Sequence, residues 1–158
     1  MYKKILVPLD GSELAEDVLP HVEFIAKSCS APNVVLVRAV EPNSDTWLNE
    51  NEKKQADERA QKDAREYLDK ISNKFKPSGV SVQKELITGK AAESIAQYAI
   101  KNEVDLIVVA THGRSGATPW VWGSVADRLL RSACAPVLMV RPPSCIPGVM
   151  SWIQPVGV

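Results

Sequence analysis

The chain is poor in the residues that build metal and redox centres. It has two histidines, His21 and His112, and three scattered cysteines, Cys29, Cys134 and Cys145. No CxxC pair and no ligand-like spacing occurs, so a zinc site of cysteine and histidine is not supported. An odd, dispersed set of thiols reads as reduced cysteines of a cytoplasmic protein. The 19 basic residues are matched by 19 acidic ones. That balance argues against bulk nucleic-acid binding and against a charged membrane-binding surface. No apolar run approaches the roughly 20 residues of a membrane-spanning helix. The apolar stretch at Ile5–Pro8 is too short for a signal peptide and reads as a first strand.

Familiar nucleotide and hydrolase signatures are missing as well. Gly89-Lys90 lacks the upstream glycine and the following Ser or Thr of a Walker A loop. There is no GxGxxG. Gly113-Arg114-Ser115-Gly116 has the wrong spacing for a nucleophile elbow. His112 has no acidic partner beside it, so it reads as a loop residue and no catalytic residue is assigned. No metal ligand is assigned either.

What is present is a regular alternation of apolar strands and helical patterns over 158 residues, enough for one domain with a full core. Ile5–Leu9 is a short apolar run ending at Asp10-Gly11-Ser12. Ser12 is a good helix N-cap, with Glu13 and Glu16 in the first turn. Leu14, Val18, Val22 and Ile25 follow at helical spacing, and Pro20 is expected to kink that helix or loosen one turn. Asn33–Val40 is the second strand. From about Asn49 to Phe75 a charged segment carries Ala56, Ala60, Ala64, Tyr67, Leu68, Ile71 and Phe75 on one stripe, a long amphipathic helix with a solvated face. Val80–Ile87 alternates and reads as an edge strand. A helix follows Thr88-Gly89-Lys90. Val104–Ala110 is the fourth strand, a helix runs from about Gly123 to Arg131, and Pro136–Arg141 is the fifth strand. Residues 142–158 form a separate tail. It holds no charged side chain, and its prolines exclude a regular helix; it is expected to pack on its own domain or on a partner subunit.

The region from Val104 to Arg141 is the most telling. A buried strand, a glycine-containing loop and a helix start together favour an anion, through exposed backbone N–H groups and the positive helix end. In parallel α/β sheets, ligands bind beyond the carboxyl ends of the strands. Asp10-Gly11 and Gly113–Gly116 both follow strand ends, and they face one cleft if the first and fourth strands are neighbours.

Those two loops carry a family resemblance. Ile5-Leu6-Val7-Pro8-Leu9-Asp10-Gly11-Ser12 opens the chain, and Ala135-Pro136-Val137-Leu138-Met139-Val140-Arg141 closes the domain. Nine residues separate Gly113 from Gly123, and Ser124 follows. Over residues 2–141 the chain resembles a single-domain universal stress protein of the ATP-binding subgroup. One position departs from the signature: Ala110 stands where its first glycine falls.

The resemblance implies a Rossmann-like α/β domain over residues 1–141, a five-stranded parallel sheet of order 3-2-1-4-5 with helices on both faces. It implies an ATP site in which Asp10, with the backbone around Pro8 and Leu9, contacts the adenine or ribose side and Ala39 lies against adenine. Val109 and Ala110 line base and ribose. Gly113 and Arg114 begin the phosphate loop, and Gly123, Ser124 and Val125 complete it. Mg²⁺ is held mainly through the phosphates. The implied activity is a nucleotide-dependent switch in a stress response, with at most slow ATP hydrolysis. The implied assembly is a homodimer through strand 137–141, which is otherwise an exposed apolar edge.

The alternative on the same fold is a dimeric interaction module without nucleotide, its pocket closed by Ala110 and the bulky Pro119-Trp120-Val121-Trp122 segment. An adenylate-forming enzyme on a similar fold needs an SGGxDS-like loop after strand one, which Asp10-Gly11-Ser12-Glu13 does not provide.

Overall fold

A computed structural model describes residues 2–29, 33–76, 79–111 and 124–141. The strands are β1 (Lys4–Pro8), β2 (Asn33–Val40), β3 (Ser81–Thr88), β4 (Leu106–Ala110) and β5 (Val137–Val140). They form one sheet in the order β3-β2-β1-β4-β5. All four pairings are parallel. This is the expected order, with β3 and β5 as its edges. Asp105, just ahead of β4, helps hold the centre. Its carboxylate accepts the backbone N–H groups of Lys3 and Lys4 at 2.7 and 3.0 Å.

Side chains alternate across the sheet and divide the core in two. On one face Ile5, Val7, Val34, Leu36, Leu106 and Val108 pack under α1 (Glu13–Glu16), α2 (Leu19–Ser28) and α3 (Glu50–Lys74). On the other, Leu6, Val35, Val37, Ile107 and Val109 pack under α4 (Ala91–Lys101) and α5 (Ser124–Ser132). Burial on both faces explains why the central strands are continuously apolar.

The helix after β1 differs from the single kinked helix expected. It is two helices, α1 and α2, broken at Asp17-Val18. Pro20 occupies the first turn of α2, where its missing N–H leaves no bond unmade. Ser12 caps α1 as expected, its hydroxyl accepting the Ala15 N–H at 3.2 Å. The long helix starts with a capping box between Asn49 and Glu52. Its stripe buries Ala64, Leu68 and Ile71, with Phe75 just beyond its end, whereas Ala56 and Ala60 are half-buried. The 142–158 tail and the Pro119–Trp122 segment lie outside the described residues.

Candidate functional site

Parallel pairing sends the carboxyl ends of all five strands to one side of the molecule. The adjacency of β1 and β4 puts the turn at Asp10-Gly11-Ser12 beside the exit of β4 at Thr111. The turn after β1 is built from its own polar groups. Asp10 Oδ1 accepts the Ser12 backbone N–H at 2.9 Å and the Ser12 hydroxyl at 2.6 Å. Gly11 between them has φ +87°, which an L side chain rarely adopts. Leu9 continues the strand's bonding past Pro8, donating its N–H to Val37 O at 2.9 Å.

The expected site residues fall on two sides of the sheet. Ala39, Val109 and Val125 pack in the same cluster on the α4/α5 face. Pro8 ends β1 and is buried. Leu9 and Ala110 belong to the opposite cluster, under α1 and α2. The Ala110 methyl is therefore directed away from Ala39 and Val109, into the core. Its φ is not positive; Glu103 is the only described non-glycine residue with a positive φ. At this position the backbone needs none of glycine's special freedom. Ser124 is exposed and is the first residue of α5. Gly113, Arg114 and Gly123 lie outside the described residues.

On the Ala39 side, a cavity of about 240 Å³ opens between the first turns of α4 and α5. Ser124 and Val125 line it together with Glu41, Lys90, Glu93 and Arg128. Two helix N-termini, each a partial positive charge, thus border one space. The α4 terminus has no side-chain cap from Lys90. Glu41 approaches it instead, accepting the Ala91 N–H at 3.3 Å. Glu93 pairs with Arg128 at 3.5 Å across the gap between the two helices.

Glu41, Lys90 and Arg128 were not singled out by sequence reasoning. The signal was present for the first two: Glu41 directly follows β2 and Lys90 follows the β3 turn, both at strand carboxyl ends. Arg128 lies one helical turn beyond Ser124, and only the packing of α5 beside α4 brings it to the cavity.

A second group lies on the other face, behind the Asp10 turn. The Arg38 guanidinium sits over the Tyr67 ring, 5.1 Å from its centroid. Among the described residues the buried Tyr67 hydroxyl has no hydrogen-bond partner. Burial above all raises its pKa, and the charges of Glu16 and Asp10 raise it further. Glu16 acts on the phenol through its charge, since the geometry falls short of a hydrogen bond. The phenol is therefore neutral across the physiological range.

The comparisons agree with this architecture. The model of the universal stress protein family matches residues 1–141. Universal stress protein MJ0531 of Methanocaldococcus jannaschii is 33% identical over 144 residues, covering 90% of this chain and 84% of that protein. The solved structure of MJ0577, from the same organism, superposes with a TM-score of 0.80 at 28% identity, over 89% of this chain and 96% of that one. A universal stress protein in complex with cAMP has the same fold, with a TM-score of 0.67 at 22% identity over 89% of this chain and 98% of that one.

Proposed function

Because the chain belongs to the universal stress protein family, we propose that it binds an adenine nucleotide, ATP in the first place, and works in a stress response as a nucleotide-dependent switch. The observation that carries this reading is the cavity between α4 and α5, with Ser124 at its edge and the Asp10 turn at the same end of the sheet. The base lies against Ala39 and Val109, the apolar wall of that side. Asp10, with the backbone around Pro8 and Leu9, borders the ribose, and the Ala110 backbone follows Val109 along the same path; the Leu9 and Ala110 side chains themselves turn into the opposite core. The phosphates take the N–H groups at the start of α5, the Ser124 hydroxyl and Val125, together with Gly113, Arg114 and Gly123. Lys90 and Arg128 at the rim are balanced by Glu41 and Glu93, so the backbone N–H groups and helix ends supply the attraction for phosphate. Mg²⁺, when it arrives with ATP, is held mainly by the phosphates. The cAMP complex of a protein of the same fold supports an adenine ligand.

Hydrolysis is slow in this reading. The two carboxylates lining the cavity are engaged, Glu41 by the Ala91 N–H and Glu93 by Arg128. A general base must reach the proton it abstracts. Native mass spectrometry of freshly purified protein is expected to show a retained adenine nucleotide, and calorimetry to show ATP or ADP binding. No affinity in the millimolar range would sink the proposal in favour of a nucleotide-free interaction module. The setting is cytoplasmic, where Cys29 and Cys134, free in the structure, stay reduced. Among the described residues no helix is long and apolar enough to cross a membrane.

The same reading includes a homodimer through residues 137–141. The two sheet edges differ in a way that suits it. β3 carries Lys84 and Glu85, whereas β5 reads Val-Leu-Met-Val with Leu138 38% exposed. Charge protects one edge and leaves the other open to pairing. Leu138→Asp is expected to convert a dimer to a monomer in sedimentation velocity. A variant that sediments like the dimeric wild type, or a monomeric wild type, would move the interface elsewhere or remove it.

A further inference from the structure

We infer that Arg38 is a positioning residue for the nucleotide site, a clasp that holds the Asp10-Gly11-Ser12 turn from the far face of the sheet. The inference rests on the nucleotide reading above for its purpose, and on the following contacts for its geometry. Ala39 and Arg38 are successive residues of β2, so their side chains leave opposite faces. Ala39 joins the cluster on the α4/α5 side. Arg38 turns to the α3 side, where Tyr67 of α3 takes its guanidinium at 5.1 Å from the ring centroid.

The other side of the guanidinium meets the turn. A Cβ at Gly11 would stand 2.7 Å from Arg38 Nη1, 3.1 Å from Cζ and 3.2 Å from Nη2. The three nearest atoms all belong to the guanidinium, so the group lies directly against the Gly11 backbone. Gly11 thus answers two demands at once, a positive φ and room for Arg38. The hydrogen bonds from Ser12 to Asp10 shape the turn from within. Arg38 supports it from behind, between a neutral aromatic ring and the chain. Through this stack α3, which lies on the opposite face from the cavity, bears on the loop that borders the ligand. Lysine would supply the charge without the plane that fits between ring and backbone.

The test compares Arg38→Met, Arg38→Lys and Tyr67→Leu with Phe75→Leu, a core control just beyond the C-terminal end of α3. Three quantities are read: amide hydrogen exchange at Gly11–Ala15 in nucleotide-free protein, ATP affinity by calorimetry, and the urea midpoint. Arg38→Met is expected to speed exchange in the turn by about tenfold or more, and to weaken ATP binding by about tenfold. Tyr67→Leu should move both in the same direction, and Arg38→Lys should not restore them. Phe75→Leu is expected to lower the urea midpoint while leaving turn exchange and ATP affinity at wild-type values. Gly11→Ala should cost less ATP affinity in the Arg38→Met background than in the wild type, because the obstructing group is gone. Unchanged exchange in Arg38→Met, or losses that follow the urea midpoint equally in the control, would overturn the clasp. A wild type that binds no nucleotide would overturn both this role and the proposed function. A wild type that binds ATP as well as Arg38→Met does would overturn the clasp alone.

Discussion

Gly123→Val is expected to lower affinity for ATP and ADP by about 100-fold or more, roughly 3 kcal/mol of binding. Gly123 immediately precedes Ser124, where α5 begins. The first N–H groups of a helix have no partner within it, and they are the donors that a phosphate needs. On the proposed reading, a branched side chain one residue before those donors obstructs the approach of the phosphates. The fold should tolerate the change, with a stability loss of about 1 kcal/mol, the scale of an unfavourable residue at a helix start. Calorimetry on the folded variant checks the binding, and circular dichroism with urea checks the fold. Full ATP affinity in this variant would mean that the start of α5 does not hold the phosphates.

A second large effect is expected at Ile107, but on stability. Ile107→Ala should destabilise the protein by about 2–5 kcal/mol, the cost of a deleted buried side chain and the void it leaves. The side chain is 0% exposed, on β4 within the cluster under α4 and α5. Its strand lies between β1 and β5, with Leu6 and Val137 as register partners. A loss of that size is a large share of the roughly 5–15 kcal/mol that typically separates folded from unfolded domains. Urea unfolding should show a lower midpoint with an unchanged slope. The fraction that remains folded should bind ATP near the wild-type affinity, the reverse of Gly123→Val. A loss below about 1 kcal/mol would contradict the packing described for this face.

The fold was legible because its signals are local or periodic. Continuous apolar runs such as Val34–Val37 mark strands buried on both faces. The stripe of Ala64, Leu68 and Ile71 marks the face that α3 buries. Ser12 and Asn49 mark helix starts by a chemistry that acts within three residues. The break between α1 and α2 was harder to read. A proline signals a disturbed helix, but whether the chain bends or restarts depends on how Val18 and Val22 seat against the sheet. Strand order came from the resemblance; alternation of strands and helices alone leaves several orders open.

The site divides along the same line. By itself the sequence determined the residue types at strand ends, the nine-residue spacing from Gly113 to Gly123, and the family to which these belong. It marked Ala110 as a departure, but the consequence of that departure depends on which way a side chain leaves the sheet. Tertiary structure decided that the methyl enters the α1/α2 core while Val109 faces α4 and α5. It also brought Glu41, Lys90 and Arg128 to one cavity and laid Arg38 between Gly11 and Tyr67. Those residues lie on separate elements, and no local pattern records their meeting. Periodicity reports which face of an element is buried, whereas proximity between elements is set by pairing and packing across the whole sheet.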